Sequence, residues 1–217
     1  MPSQRQSLNS NPLNQEVHTK QDIIIFMKIF CLGLSRTGTK SLIDALRTLG
    51  YHAGHFTEGM NALEVVNGKL VLRDDEVDKW EALGDVPVVP FYQELDRKYP
   101  EAKFILTIRE FQNWLKSNKK HHTTDHSKYH KQHQIDTQKA FLLRKTVYGS
   151  IEFDPDKWTN TYHQHHANVQ SHFSNRDQKL LVLNIPQGDG WEKLCPFLDQ
   201  PIPEFPFPSI RNWSDKK

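Results

Sequence analysis

The sequence has few cysteines, almost no excess charge and no long apolar run, and each shortage removes a class of protein. Two cysteines in 217 residues, Cys31 and Cys195, give no disulfide framework, and in a reducing compartment both stay thiols. Lysine and arginine number 28 against 26 aspartates and glutamates, a net charge of +2. That balance argues against a dedicated nucleic-acid binder, which needs a clustered basic excess, and against a chain kept disordered by its charge. The longest unbroken apolar run, residues 23–27, is far short of the ~20 residues that span a bilayer. The polar stretch before it lacks a signal peptide's order of charge, apolar core and small residues. What is left is a soluble, cytoplasmic globular protein, long enough to build a core without a metal or disulfide staple. No internal repeat is visible.

Residues 1–21, rich in Gln, Asn and Ser without apolar periodicity, read as a flexible polar tail, and 22–217 as a single domain. On sequence grounds translation can begin at Met1 or at Met27, directly before a strand. Residues 28–33, apolar without a break from Ile29 to Leu32, read as a strand of the kind buried in parallel sheets. A polar turn follows, Leu34-Ser35-Arg36-Thr37-Gly38-Thr39-Lys40-Ser41, and opens a helix. Leu42, Ala45, Leu46 and Leu49 share one face of that helix, and Gly50 marks its end. Further strands are predicted at 51–56, 103–108 and 179–184, and helices at 90–99, 111–120, 135–148, 155–174 and 191–198. Four prolines between 201 and 208 finish the chain as an extended strap. Strands alternating with helices predict an α/β fold, three-layer α/β/α, around a mainly parallel sheet with a P-loop-like turn.

Ligands collect at the carboxyl ends of strands in open parallel sheets. A strand, a Gly-containing turn and a helix start build an anion site there from backbone N–H groups and the positive helix end. Residues 33–41 have that form. Against the triphosphatase loop G-x-x-x-x-G-K-[ST], Gly33 and Gly38 are correctly spaced, but Thr39 intervenes before Lys40-Ser41. One inserted residue turns a helical side chain by about 100°, away from the usual β/γ-phosphate position. The predicted strands also offer no acidic end for magnesium; the 103–108 strand ends at Arg109, which suits a second anionic group. A phosphate-loop small-molecule kinase is therefore the alternative reading.

Ser35-Arg36-Thr37-Gly38-Thr39 resembles the 5′-phosphosulfate loop of sulfotransferases that use 3′-phosphoadenylyl sulfate (PAPS). Arg109 at a strand end, Ser117 eight residues later and Trp114 between them are similar to that family's grip on the 3′-phosphate. The segment Gly188-Asp189-Gly190-Trp191-Glu192-Lys193-Leu194-Cys195, followed by Phe197-Leu198 and Pro206-Phe207-Pro208, resembles the small single-domain branch found in microbes and some eukaryotes. Together the three blocks span about 28–210. The resemblance implies in-line transfer of a sulfuryl group from PAPS to a hydroxyl or amine of a small-molecule acceptor. Adenosine 3′,5′-bisphosphate is then released, and no metal, nucleic acid or membrane span is involved. A degenerate member that binds nucleotide without turnover would carry the same motifs.

The resemblance also implies roles. Arg36 would stabilise the bridging oxygen as the sulfur–oxygen bond breaks, with Lys40 assisting. Arg36, Thr37, Gly38, Thr39, Lys40 and Ser41 would hold the 5′-phosphosulfate, and Arg109 and Ser117 the 3′-phosphate. Asp85, in Gly84-Asp85-Val86-Pro87, stands where many members carry a His or acidic general base, and His55 is the other candidate. An Asp before a Val-Pro turn also has a plain use, accepting backbone hydrogen bonds. Trp114 and Trp191 are read as packing residues and Cys31 as a small buried apolar group.

Nine of the twelve histidines fall between 121 and 172, inside a segment, 121–175, read as a helical lid and acceptor region. His122, His126 and His130 have helical i, i+4, i+8 spacing, the pattern a metal site would use. With no Cys and one nearby carboxylate, Asp125, the preferred expectation is a solvated, partly mobile lid. Residues 116–145 hold eight Lys and Arg against two Asp, a local excess that can draw in an anionic donor.

Overall fold

The computed structural model describes residues 27–123 and 127–208. The tail read at 1–21 and His126 lie outside the described residues. In chain order the first elements are β1 (Ile29–Cys31), α1 (Thr39–Thr48), β2 (Ala53–Gly54), α2 (Phe56–Asn61), β3 (Leu63–Val66), β4 (Lys69–Leu72), α3 (Asp74–Val77) and β5 (Ala82–Gly84). They are followed by α4 (Tyr92–Lys98), β6 (Lys103–Thr107), α5 (Phe111–His122), α6 (Ser127–Gln132), α7 (Thr137–Tyr148), α8 (Pro155–His172), β7 (Leu180–Leu183) and α9 (Trp191–Phe197). The main sheet has the order β2-β5-β1-β6-β7, with every pairing parallel, and β3 and β4 form a separate antiparallel hairpin.

Alternation along β1 separates the two faces of the sheet. Ile29 and Cys31 pack with Leu42 and Leu46 of α1 and with Trp191 and Leu194 of α9. Phe30 and Leu32 face the opposite way, onto Phe104, Leu95 of α4, Val169 of α8 and Phe173 just beyond its end. Helices therefore cover both faces of a mostly parallel sheet, giving the three-layer α/β/α arrangement expected from the sequence. A third buried cluster joins Leu34, Trp114, Leu143, Tyr148, Trp158 and Tyr162, beneath α5, α7 and α8.

Three features differ from the sequence expectation. The interior strand β5 was not anticipated, because three residues are too few to show a period. Nor were α2 and the hairpin, whose strands leave Glu64, Val65 and Val66 exposed. The third difference concerns the histidines of α8. Their segment is not simply solvated: Trp158, Tyr162, His166 and Val169 form its buried stripe at helical spacing, and histidine polarity hid that stripe.

Candidate active site

β1 is flanked by β5 on one side and β6 on the other, so the crevice at the carboxyl end of β1 is where ligand loops of such sheets converge. The loop after β1 is fixed from below by two buried threonines. Thr37 donates its hydroxyl to the Leu34 carbonyl at 2.7 Å. The Thr37 proton is thereby committed, so the Thr107 hydroxyl, at the end of β6, donates to Thr37 Oγ1 across 2.7 Å. Gly33 is required by this contact, since a Cβ there would stand 1.8 Å from Thr107 Oγ1. Farther along, Arg36 (φ 70) and Gly38 (φ 108) adopt left-handed backbone, a geometry that turns successive N–H groups inward. The helix α1 then begins without a side-chain cap and without an acidic residue in its first turn. Its first helical bond is Leu42 N–H to Gly38 O, so the N–H groups of Thr39, Lys40 and Ser41 precede the ladder and suit an anion.

The residues expected at the 3′-phosphate lie against this loop. Arg36 Nε donates to Ser117 Oγ at 3.2 Å, and Arg109 Nη1 donates to the Arg36 carbonyl at 3.2 Å. Trp114, fully buried, donates its indole N–H to the Ser35 carbonyl at 3.0 Å, and Asn118 adds a bond to the same oxygen at 3.3 Å. The Ser35 N–H donates to the Tyr148 hydroxyl at 3.1 Å. Burial pushes that phenol well above its usual range, keeping it protonated. Tyr162 donates to the Arg109 carbonyl, and His165 Nε2 lies 2.7 Å from the Leu32 carbonyl. Tyr148, Asn118, Tyr162 and His165 are site-supporting residues that the sequence reading missed. The buried stripe on α8 is a pattern that would have found one of them, Tyr162.

Lys40 extends along α1 and pairs with Asp44 at 3.0 Å, one turn on. The inserted Thr39 puts its hydroxyl 3.1 Å from His55 Nε2 instead. The same nitrogen is 3.4 Å from Asp85 Oδ2. The two candidate bases thus occupy one corner of the site. Asp85 is buried, left-handed at φ 72, and accepts the Val86 N–H on Oδ1 at 2.9 Å. Such backbone at a non-glycine residue costs of order 1 kcal/mol and concentrates at functional positions. Glu58 Oε2 accepts the His55 backbone N–H at 2.9 Å and so fixes the other side of the corner. One expectation is corrected here: a strand end beside the loop does carry a carboxylate, because β5 ends directly before Asp85.

These groups open into a cleft of about 1070 Å³, whose walls include Arg36, Lys40, Asp85 and Arg109, the apolar face of α7 and, from the proline strap, Phe207 and Pro208. His121, His122, His130 and His133 also line it. Among the described residues no three or more His, Cys, Asp or Glu side chains gather as a metal site. No described helix is long and apolar enough to cross a membrane.

A parallel sheet whose central strand leads into an uncapped, arginine-bearing helix start defines an α/β protein of the kind that presents backbone N–H groups at its strand ends. The sequence model of the sulfotransferase domain family matches residues 28–215, and the chain belongs to that family. It is also 30% identical over 218 residues to Ava biosynthesis cluster protein M of Aspergillus versicolor, covering 85% of this chain and 80% of that protein. Family membership makes the protein a sulfotransferase-type transferase.

Proposed function

We propose that the protein transfers a sulfuryl group from PAPS to a hydroxyl or amine of a small molecule and releases adenosine 3′,5′-bisphosphate. The observation that carries this reading is the contact of Arg36 with both Arg109 and Ser117 beside the uncapped start of α1. A donor with a 5′-phosphosulfate and a 3′-phosphate needs two anion sites joined in this way. When bound, PAPS supplies the electrophilic sulfur and a bisphosphate leaving group. The N–H groups of Thr39 to Ser41 and the α1 dipole hold the 5′ group. The Arg36 guanidinium, permanently charged, stabilises the negative charge that grows on the bridging oxygen. Arg109 and the Ser117 hydroxyl hold the 3′-phosphate.

At the acceptor, Asp85 takes the proton as the new bond to sulfur forms. A proton on His55 Nε2 faces two acceptors, Asp85 Oδ2 and Thr39 Oγ1, so the imidazole holds the carboxylate in place. The carboxylate at the end of β5 also favours a second reading, a magnesium-dependent kinase, because that is where a metal-binding Asp would stand. Against it, Lys40 is turned toward Asp44.

Calorimetric titration with adenosine 3′,5′-bisphosphate and with ATP–magnesium, followed by transfer assays with labelled PAPS, separates the readings. Tight magnesium-dependent ATP binding without response to the 3′-phosphate refutes the sulfotransferase reading. Nucleotide binding without transfer to any acceptor in a broad panel identifies a degenerate member. Arg109→Ala should weaken bisphosphate binding about 10- to 100-fold, the scale of lost charged hydrogen bonds. Asp85→Asn should leave binding intact and lower kcat by roughly 10²–10⁴.

A further inference from the structure

The cleft is more basic than its donor wall requires. Lys40 and Arg47 share Asp44, and Arg36 and Arg109 meet at the anion loop. Arg144, which also lines the cleft, is the remaining arginine. It projects from α7 one turn before Tyr148 and is partly buried, and burial lowers its pKa from the usual arginine range. Nη1 donates to the Ile151 carbonyl at 2.9 Å. No carboxylate among the described residues pairs with the guanidinium, and Glu152 acts on it only at longer range. A charge withdrawn from water without a counter-ion is costly, and an anion seated beside it offsets that cost. The apolar part of the cleft lining is Phe56, Val86, Ala140, Leu143 and the Tyr148 ring, which pack in one buried cluster. Asp85, Tyr148 and Arg144 all line this one cleft, so the proposed base and this guanidinium face a shared space.

We infer that the acceptor is a flat, largely apolar hydroxy compound that also carries a carboxylate, its ring against Val86, Leu143 and Tyr148 and its acid group on Arg144. This inference rests on the sulfotransferase reading and names the acceptor class for that site. The Nε and Nη2 donors of Arg144 receive the acid, as paired guanidinium donors fit a carboxylate. The acceptor hydroxyl is then presented to Asp85.

Matched pairs test this: 4-hydroxybenzoate against 4-hydroxybenzamide, and 6-hydroxy-2-naphthoate against its amide. Each is titrated calorimetrically into protein saturated with adenosine 3′,5′-bisphosphate and assayed for sulfation with PAPS. The acids should bind about tenfold or more tightly than the amides, the scale of one charged hydrogen-bonded pair. Arg144→Gln should reduce the acids to the affinity of the amides, and Arg144→Lys should retain part of the preference. Nucleotide affinity serves as the folding control for both variants. Equal binding of acids and amides, a preference that survives in Arg144→Gln, or no binding of any acid overturns the inference. If the wild type fails to bind the bisphosphate at all, the sulfotransferase reading itself has failed, which is a separate result.

Discussion

Lowering the pH from 7 to 5 tests how firmly α8 braces the site. His166 is 9% exposed, its Nε2 is buried without a hydrogen-bond partner, and it packs edge-on against Tyr162. Burial, with a smaller push from His165 and His163, holds its pKa down at about 4, against an ordinary 6.5. The folded protein therefore binds fewer protons at this site than the unfolded chain does between those values. Stability must fall as the pH falls. The contribution is complete above pH 6.5 and is lost progressively toward pH 4. Integrated between pH 7 and pH 5, the loss is about 2 kcal/mol, or roughly 4–8 °C in Tm for a domain of this size. His165, pulled down by burial, adds to the loss in the same direction. Urea unfolding of wild type and His166→Leu at both pH values isolates the effect. The variant should lose about 2 kcal/mol less than wild type over the interval. Parallel losses in the two proteins would refute the argument. Because Tyr162 holds the Arg109 carbonyl and His165 contacts the Leu32 carbonyl, acid should also weaken bisphosphate binding before the main sheet unfolds.

Three further substitutions probe the loop itself. Gly33→Ala drives a methyl group into Thr107 Oγ1 and should cost about 1–3 kcal/mol together with nucleotide affinity; urea midpoints and bisphosphate titrations equal to wild type would contradict the close-approach argument. Tyr148→Phe leaves the Ser35 N–H without its acceptor and should cost about 1–3 kcal/mol, read as a lowered Tm, with unchanged stability as the refuting result. Asp44→Ala removes the carboxylate shared by Lys40 and Arg47. It should change stability by less than about 1 kcal/mol while tightening bisphosphate binding at low ionic strength, and weaker binding would contradict it.

The parts legible in the sequence were those with long periods or fixed local chemistry. The buried run before the loop, the amphipathic face of α1 and the β6 strand were visible because several successive residues repeat one pattern. Arg109 was placed at a strand end for the same reason. His55 and Asp85 were each nominated, but their pairing was not readable. It depends on β2 and β5 being neighbours in the sheet, strands of two and three residues that leave no period to detect. The same blindness hid the carboxylate at the end of β5. The contacts around Ser35 are hidden for another reason. Its N–H and C=O bind side chains 113 and 79 residues away, and no local preference encodes bonds of that separation.

Those long-range bonds explain why the helices at the carboxyl end of the sheet belong to the site even where they supply no reacting group. A loop that presents N–H groups to an anion cannot spend its remaining backbone groups on itself, yet buried backbone groups must be satisfied. Here α5 supplies Trp114 and Asn118 to the Ser35 carbonyl, α7 supplies Tyr148 to its N–H, and α8 supplies Tyr162 and His165 to the Arg109 and Leu32 carbonyls. Each bond fixes a residue at or beside an anion-binding position, so the loop needs no rearrangement to receive charge. Tyr148 does this from the wall of the cleft assigned to the acceptor. An acceptor that packs on the Tyr148 ring therefore presses on the group that holds Ser35, one residue before Arg36. On the proposed reading, binding on the acceptor side would therefore be coupled to order in the donor loop through a single phenol.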